Sequence, residues 1–238
     1  MDRRWLIDEQ AYAGAEHLDQ QFVASYDRKS GYGHAGGPDS SEELARLQAH
    51  GVGREATVID LGAGTGQFAL AAAFRFRRVV AVDISPAMVE SLAARAAALA
   101  GVKLECVQAG FLSYNHIGPR ADAVHTRNAL HHLPDFWKAI ALERIGHMLR
   151  PGGLLRLHDL IYDFAPADAE AVFERWLASG SDDPSKGYTA EDFAMHIRSE
   201  YSTFRWLFEP LLAVSGFDIV TAEFRNHVYG TYTCRRTR

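Results

Sequence analysis

Short apolar runs alternate with amphipathic segments through the middle of the chain. Runs of valine, isoleucine and leucine without a polar face are typical of parallel strands that are covered on both sides. Apolar residues at helical spacing lie between these runs and predict intervening helices. This alternation predicts an α/β domain with a doubly wound, mostly parallel sheet. The predicted strands are 56–60, 78–83, 102–107, 121–126 and 154–159, and the predicted helices are 66–74, 86–100 and 134–149.

The region before these strands has a different character. Residues 8–25 and 40–50 show helical spacing, and the stretch between them has the glycines, proline and serines of a loop. We expect residues 1–50 to form an N-terminal helical cap. Its loop, with Tyr26 and Tyr32, is expected to close over the open edge of the sheet as a lid.

The region after the fifth predicted strand completes the domain. Residues 160–216 are helical in pattern and rich in aromatic side chains, and we expect a helical insertion over 160–210 to form the rest of the cap. Two alternating runs at 217–224 and 228–234 predict an antiparallel hairpin, which brings the sheet to seven strands. All of 1–238 is therefore predicted to be a single domain.

Composition narrows the class of protein. The chain has 238 residues, of which 47% are hydrophobic and 23% charged, as in an ordinary globular domain. No apolar run reaches the roughly 20 residues of a bilayer span, and the first residues lack the apolar core of a signal peptide. We therefore expect a cytoplasmic protein without membrane contact. The net charge of −5 argues against a nucleic-acid partner, and both a monomer and a homodimer remain open.

The first predicted strand runs directly into three alternating glycines. Residues 58–70 read VIDLGAGTGQFAL, with Asp60 ahead of the first glycine, Gly62. Glycines let such a loop adopt positive φ and bring a ligand against bare backbone before the helix begins. A dinucleotide fingerprint would need glycine in place of Gln67. A carboxylate at Asp60 would also repel a pyrophosphate, whereas it suits an ammonium group.

The second predicted strand ends in another acid, Asp83, after the run VVAV. Its distance along the chain from Gly62 is the spacing at which a carboxylate on the neighbouring strand tip accepts hydrogen bonds from both hydroxyls of a ribose. The two acids and the glycine run together indicate a site for a nucleoside-containing ligand.

This combination resembles motif I and the following strand of the class I S-adenosylmethionine-dependent methyltransferases. The resemblance covers roughly residues 55–160. It implies a Rossmann-like fold, S-adenosylmethionine as the cofactor and S-adenosylhomocysteine as the product. It also implies direct in-line methyl transfer to a small-molecule acceptor.

The resemblance assigns most of the expected cofactor contacts to the first two strand ends. Asp83 would bind the ribose, and Asp60 would lie near the amino group of the methionine part. Ile84 and Met88 would press on the adenine, although either could be ordinary core. The expected contacts to the methionine part are Asp60, Gly62, Ala63, Gly64 and Thr65, and the further expected cofactor contacts are Gly66 and the loop residues Tyr26 and Tyr32.

The third predicted strand lacks a residue that the family often has. An acid after this strand commonly binds the adenine amino group, but residues 106–111 read CVQAGF. The backbone N–H groups of Gly110 and Phe111, or the side chain of Gln108, are expected to read the adenine edge instead.

The fourth predicted strand leads into NALHHLPD at 128–135. Similar segments in many small-molecule methyltransferases of this class form the floor between cofactor and acceptor. The resemblance therefore makes Arg127, Asn128, Ala129 and Leu130 expected neighbours of the cofactor.

Two histidines in the same segment are the candidate catalytic residues. If the acceptor is a hydroxyl, His131 or His132 could take its proton, because imidazole titrates near neutral pH. Adjacent side chains on a turn point in different directions, so one histidine is expected to serve. His132 is the first choice, and a role in packing or helix entry is its alternative.

No metal site is predicted from the sequence. His131, His132, His158 and Asp159 could be imagined as ligands, but the helical H-x-x-x-H spacing is missing. Three other functions remain open. These are a protein that binds S-adenosylmethionine without transferring its methyl group, a methyltransferase acting on a macromolecule, and a nicotinamide-dependent oxidoreductase.

Overall fold

A computed structural model describes residues 4–19, 23, 26 and 40–237. In this part of the chain, strands β1 to β8 are Thr57–Leu61, Arg78–Asp83, Leu104–Gln108, Ala121–Arg127, Leu149–Tyr162, Thr203–Phe204, Phe217–Arg225 and Tyr229–Arg236. Helices α1 to α7 are Ser40–Ala49, Gln67–Ala73, Pro86–Ala97, Asp135–Met148, Ala169–Leu177, Ala190–Ser199 and Arg205–Val214. None of the described helices is long and apolar enough to cross a membrane.

The main sheet has seven strands in the order β3-β2-β1-β4-β5-β8-β7, and the two-residue strand β6 pairs with β5 beside this path. Strands β1 to β5 are parallel, whereas β8 runs antiparallel to both of its neighbours, β5 and β7. This confirms the predicted doubly wound sheet and its C-terminal hairpin. The strand order reverses between β1 and β4, and ligands bind in such sheets at the carboxyl ends beside that switch point.

The sheet separates two hydrophobic clusters. Successive residues of β1 point to opposite faces, so Val58 packs with Leu47 and Phe68 on one side and Ile59 packs with Leu142 on the other. All five residues of β1 are buried, because helices cover both faces of this central strand. The burial explains why the strand reads as a continuous apolar run with Asp60 as its one charged residue.

A buried ion pair ties helix α1 to the sheet. Arg156 on β5 donates from Nε to Glu43 Oε2 at 2.6 Å and from Nη2 to Glu43 Oε1 at 2.8 Å. Arg156 Nη1 also donates to Thr233 Oγ1 at 3.0 Å. Burial favours the neutral acid, but the guanidinium of Arg156 holds the pKa of Glu43 below its usual value.

The predicted continuous helix over 8–25 is wrong in its described part. Two short 3₁₀ helices, Glu9–Tyr12 and Ala15–Leu18, replace it there. Gly14 lies between them with φ of 79°, a left-handed conformation that interrupts a helix. The predicted loop and its Tyr32 lie outside the described residues, whereas the helix predicted at 40–50 is confirmed as α1.

The fifth strand is longer than the pattern predicts. It starts at Leu149, directly after α4, and Gly152, with φ of 75°, lies inside it instead of in a separate turn. Its register with β4 shifts between Ala121 and Ala123 to accommodate this irregular start. The strand continues to Tyr162 and carries the sheet into a small aromatic core beneath α5, which contains Leu160, Tyr162, Val172, Trp176 and Val228.

Candidate functional site

The glycine loop after β1 is built on backbone conformations that favour glycine. Gly62, Gly64 and Gly66 have φ of 71°, 53° and 87°. A Cβ on Gly62 would clash with Ala129, and one on Gly66 would clash with Leu92 of α3. The first glycine therefore lets the loop pack against the segment after β4, and the third lets α2 begin close to α3.

Asp83 lies at the tip of β2 and faces the glycine loop. Its Oδ2 accepts a hydrogen bond from Gly64 N at 2.8 Å, and its Oδ1 accepts one from Ser85 N at 2.9 Å. Burial raises the pKa of Asp83 to about 6, although these two N–H donors oppose the shift. Each carboxylate oxygen has a second lone pair, so the side chain can accept two further hydrogen bonds.

Asp60 and His125 form a buried pair on neighbouring strands. They are register partners on β1 and β4, and His125 Nδ1 lies 2.7 Å from Asp60 Oδ1. The imidazole also stacks on Phe68 with 3.7 Å between ring centroids. These contacts hold the Asp60 carboxylate in one orientation beside the glycine loop.

Two adjoining cavities surround this loop. The glycine-loop pocket is a cleft of about 670 Å³, counting the space that opens to solvent, and Asp83, Ile84, Met88 and Phe111 are in its lining. The Asp60 pocket is a cleft of about 490 Å³ on the same measure, on the other side of the loop. The expected cofactor residues that line one or both cavities are Tyr26, Asp60, Gly62, Ala63, Gly64, Thr65, Asp83, Ile84, Met88, Gly110, Phe111, Arg127, Asn128 and Ala129.

Two of the expected cofactor residues line neither cavity. Leu130 is buried in the main core, and its backbone N–H donates to Asp159 Oδ2 at 2.8 Å. Gly66 serves as the left-handed N-cap of α2 and faces Leu92. A further expected residue, Tyr32, is outside the described part of the chain.

The N-terminal region supplies a carboxylate that the sequence analysis missed. Glu9 lines the glycine-loop pocket, and both of its carboxylate oxygens accept from Leu112 N, at 3.2 and 3.1 Å. Burial raises the pKa of Glu9, although these N–H donors oppose the shift. A Cβ on Gly110 would clash with the Glu9 carboxylate, so a glycine at this position makes room for the acid. The N–H of Gly110 itself donates to Ser113 Oγ at 2.8 Å.

Asp159 shapes the segment that follows β4. Its Oδ2 accepts from the N–H groups of Ala129 and Leu130 at 3.3 and 2.8 Å, at the start of the 3₁₀ turn Leu130–His132. Its Oδ1 lies 2.5 Å from His131 Nδ1. Asn128 begins this segment with φ of 47°, a strained conformation of the kind found at functional sites.

The two candidate catalytic histidines have opposite electrostatic environments. Burial lowers the pKa of His131, but the carboxylates of Asp159 and Glu200 outweigh it and raise the pKa to about 10. Burial and the neighbouring charge on His131 bring the pKa of His132 well below its ordinary value. His132 is therefore neutral at neutral pH and keeps a nitrogen lone pair available as a proton acceptor.

A third cavity, the aromatic pocket, adjoins the glycine-loop pocket. It is a cleft of about 510 Å³, counting the space that opens to solvent, and it is lined by Trp176, Tyr188, Phe193 and Tyr229 together with several histidines. His131 lines only the aromatic pocket, whereas His132 lines both the aromatic pocket and the glycine-loop pocket. The residues common to the two cavities are His17, Tyr26, Asn128 and His132.

Sequence reasoning missed most of the aromatic pocket. Its walls come from the first 3₁₀ turns, the helices α5 and α6 and the start of β8, which are far apart in the chain. No motif links these segments. The local signals were the aromatic side chains of residues 160–216 and the spacing of His196 and Glu200 by one helical turn at the end of α6.

Comparisons with known proteins concern the domain and its fold. Residues 58–153 match the family profile described as a methyltransferase domain. A comparison with curated protein sequences found no match. Among solved structures, the CcbJ methyltransferase from Streptomyces caelestis is 20% identical with a TM-score of 0.68, and the alignment covers 98% of this chain and 100% of that chain.

Two further solved structures have the same fold. The magnesium protoporphyrin IX methyltransferase from Synechocystis, solved with bound S-adenosylmethionine, is 16% identical with a TM-score of 0.64 over 98% of this chain and 99% of that one. A methyltransferase-like protein from Bacillus halodurans is 17% identical with a TM-score of 0.63, covering 82% and 99%. At these identities the structural likeness concerns the fold alone.

Proposed function

We propose that this chain, whose residues 58–153 match a methyltransferase domain, is a class I S-adenosylmethionine-dependent methyltransferase and that it transfers the methyl group directly, in line, to a small molecule. The observation that carries the proposal is the shared wall of the glycine-loop pocket and the aromatic pocket. Two ligands held on either side of that wall would meet beside His132 and Asn128.

The residues around the glycine loop suit the two ends of the cofactor. We propose that Asp83 accepts hydrogen bonds from the ribose hydroxyls and that Ile84 and Met88 cover the adenine. The methionine end of the cofactor carries an ammonium and a carboxylate. The lining of the Asp60 pocket offers a partner of opposite charge to each of them, Asp60 for the ammonium and Arg127 for the carboxylate. The glycine loop leaves bare backbone between these charges.

S-adenosylmethionine supplies a methyl group on a positively charged sulfur. The bond from this carbon to the acceptor forms as the carbon–sulfur bond breaks, and its electron pair goes to the sulfur of S-adenosylhomocysteine. The rings of the aromatic pocket, with Tyr26 at its junction, would exclude water and hold the acceptor in line. A small aromatic molecule fits such walls, because rings stack favourably on rings.

The proposed function is tested by incubating the protein with methyl-labelled S-adenosylmethionine and a panel of small hydroxyl, amine and thiol compounds. The panel contains aromatic compounds and aliphatic compounds of matched functional groups. Label on a small aromatic compound supports the proposal. Label only on added protein or nucleic acid, or tight cofactor binding with no labelled product, would contradict it.

Asp83 gives a specific prediction for cofactor binding. We expect affinity for S-adenosylhomocysteine to fall about 10-fold from pH 7 to pH 5, because the carboxylate, with a pKa of about 6, takes up a proton over this interval. Asp83→Asn should weaken binding at pH 7 by about 1.5–3 kcal/mol for each charge-assisted hydrogen bond lost, and it should remove the part of the pH dependence that titration of Asp83 causes. Titration calorimetry measures both effects.

The matched control for Asp83→Asn is Glu105→Gln on β3. This substitution also removes one carboxylate, but Glu105 pairs with Arg78 at 2.7 Å and lines none of the three cavities. The affinity of Glu105→Gln for S-adenosylhomocysteine should equal that of the wild type. If Asp83→Asn also bound S-adenosylhomocysteine as tightly as the wild type, Asp83 would be excluded from ribose binding.

We further propose that Glu9 accepts a hydrogen bond from the adenine amino group, in place of the acid missing after β3. Glu9→Gln is expected to weaken S-adenosylhomocysteine binding about 10-fold, since a charge-assisted hydrogen bond contributes about 1.5–3 kcal/mol. The wild type should discriminate against S-inosylhomocysteine, which has an oxygen at that place, and the variant should lose much of this discrimination. An unchanged ratio of the two affinities would assign the adenine edge to other groups.

A further inference from the structure

Three side chains in and beside the wall of the aromatic pocket bring their donor atoms together. His131 Nε2 lies 3.3 Å from Glu200 Oε2, and His196 Nδ1 lies 2.6 Å from the same oxygen. One donor atom from each of the three side chains lies within 4.8 Å of the other two. Two imidazoles and one carboxylate are the protein ligands of a common type of zinc site.

The closest of these contacts is not a well-formed hydrogen bond. His196 Nδ1 and Glu200 Oε2 are both buried, and at 2.6 Å they form an ion pair whose geometry falls short of a good hydrogen bond. Buried polar atoms left in this condition are costly. A tetrahedral Zn²⁺ ion would hold its nitrogen and oxygen ligands about 3.3 Å apart, so a small separation of the two side chains would let one cation satisfy both atoms.

The surrounding structure orients the first imidazole as metal sites require. Asp159 Oδ1 lies 2.5 Å from His131 Nδ1 and keeps a proton on that nitrogen, while Nε2, whose proton the cation would replace, faces Glu200. Asp159 is itself held by the N–H groups of Leu130 and Leu160, each at 2.8 Å. A carboxylate behind the histidine is the usual outer partner of a metal ligand.

The other two groups come from a single helix end. Glu200 follows the last residue of α6, so His196 and Glu200 are one turn apart on the same face. The ring of His196 meets Tyr188 edge to face, with 5.6 Å between centroids. The packing therefore restrains the second imidazole as well as the first.

We propose that His131, His196 and Glu200 bind one divalent transition-metal ion, with Zn²⁺ the best match. Both imidazoles line the aromatic pocket, so the open coordination position of the ion would face the acceptor. The acceptor would then be a molecule with a hydroxyl or thiol able to ligate the ion, whose Lewis acidity would ease loss of its proton. This last step rests on the proposed function, whereas metal binding itself does not.

Zinc binding can be measured on the full chain without cofactor or acceptor. The protein is treated with a chelator, dialysed and titrated with Zn²⁺ by calorimetry, and Co²⁺ is added in parallel to record its visible absorption. We expect one equivalent of Zn²⁺ to bind tightly and the Co²⁺ spectrum to be that of a four-coordinate ion. His196→Ala and Glu200→Gln should each weaken binding by more than about 100-fold.

His147→Ala is the matched control for these variants. His147 also pairs with a glutamate one helical turn away, Glu143 at 3.1 Å, but both side chains are exposed on α4. Its metal affinity should equal that of the wild type. Three results would overturn the proposal. These are an unchanged Zn²⁺ affinity in His196→Ala and Glu200→Gln, an equal loss of affinity in His147→Ala, and no Zn²⁺ binding by the wild type.

Two further measurements separate the metal site from folding and from methyl transfer. Thermal unfolding and S-adenosylhomocysteine affinity are measured for every variant, and Glu200→Gln, which preserves shape, replaces His196→Ala if that variant does not fold. A protein that binds zinc but methylates nothing would contradict the proposed function alone. One that methylates an acceptor but binds no zinc would contradict the metal site alone.

Discussion

His132→Gln should lower kcat by about 10²- to 10⁴-fold while leaving the affinity for S-adenosylhomocysteine within about 2-fold, because we propose that His132 is the general base, and removing such a base affects the reaction more than ground-state binding. His132 lines both the glycine-loop pocket and the aromatic pocket, so its ring can reach an acceptor at the shared wall. Its lowered pKa makes it a weak base. A weak base suffices here, since the acceptor's proton becomes far more acidic as its oxygen or nitrogen bonds to the methyl carbon.

His17→Gln provides the matched control for this prediction. His17 lines the same two cavities, and its ring centroid lies 5.6 Å from that of His132. Both variants remove an imidazole from the wall shared by the two pockets, but only His132→Gln removes the proposed general base. Single-turnover rates and cofactor affinities of His132→Gln and His17→Gln therefore distinguish these two effects. A large loss in His17→Gln with little change in His132→Gln would transfer the role to His17, and equal small losses would leave His132 with a packing role.

Arg156→Met should lower the free energy of unfolding by about 3–5 kcal/mol, because it leaves the Glu43 carboxylate buried without its cation. Both side chains are almost completely buried, at 2% and 1% exposed, and two hydrogen bonds of 2.6 and 2.8 Å join them. The double variant Glu43→Leu, Arg156→Met should recover most of the loss, since it removes both buried charges and leaves apolar side chains between α1 and the sheet. Denaturant titration gives each of these free energies.

Arg150→Met is the control for the arginine substitution. Arg150 lies on the same strand and donates to Asp122 at 2.7 Å, but its side chain is 49% exposed. An exposed pair of this kind contributes about 0–1 kcal/mol. If Arg156→Met destabilised the protein no more than Arg150→Met does, the buried pair would not anchor α1.

The central sheet was predictable because its signals are local. A strand that is covered on both faces has apolar residues along its length. The tight loop that connects such a strand to the next helix needs residues with positive φ, which favours glycine. The runs around Val58 and Val79 and the glycines from Gly62 show these requirements directly in the sequence. The hairpin was also evident, because its two strands alternate around the turn at Asn226.

The N-terminal region was predicted less well for an equally physical reason. Helical spacing over 8–25 indicates which residues are apolar, but it does not specify where the backbone hydrogen-bond pattern breaks. In the described part, Gly14 adopts a left-handed conformation and the chain forms two 3₁₀ turns. This geometry directs Glu9 toward Leu112, which is 103 positions away.

By itself, the sequence determined the doubly wound sheet, the glycine loop with Asp60 and Asp83, and the class of cofactor. Each of these depends on residues close together in the chain or on strand ends that a parallel sheet necessarily brings to one edge. The tertiary structure alone decided that Glu9 reaches Leu112 in the segment after β3 and that His196 of α6 and Glu200 just after it meet His131. Those contacts depend on how the cap packs on the sheet, and the pattern of apolar residues restricts that packing without specifying which polar side chains meet.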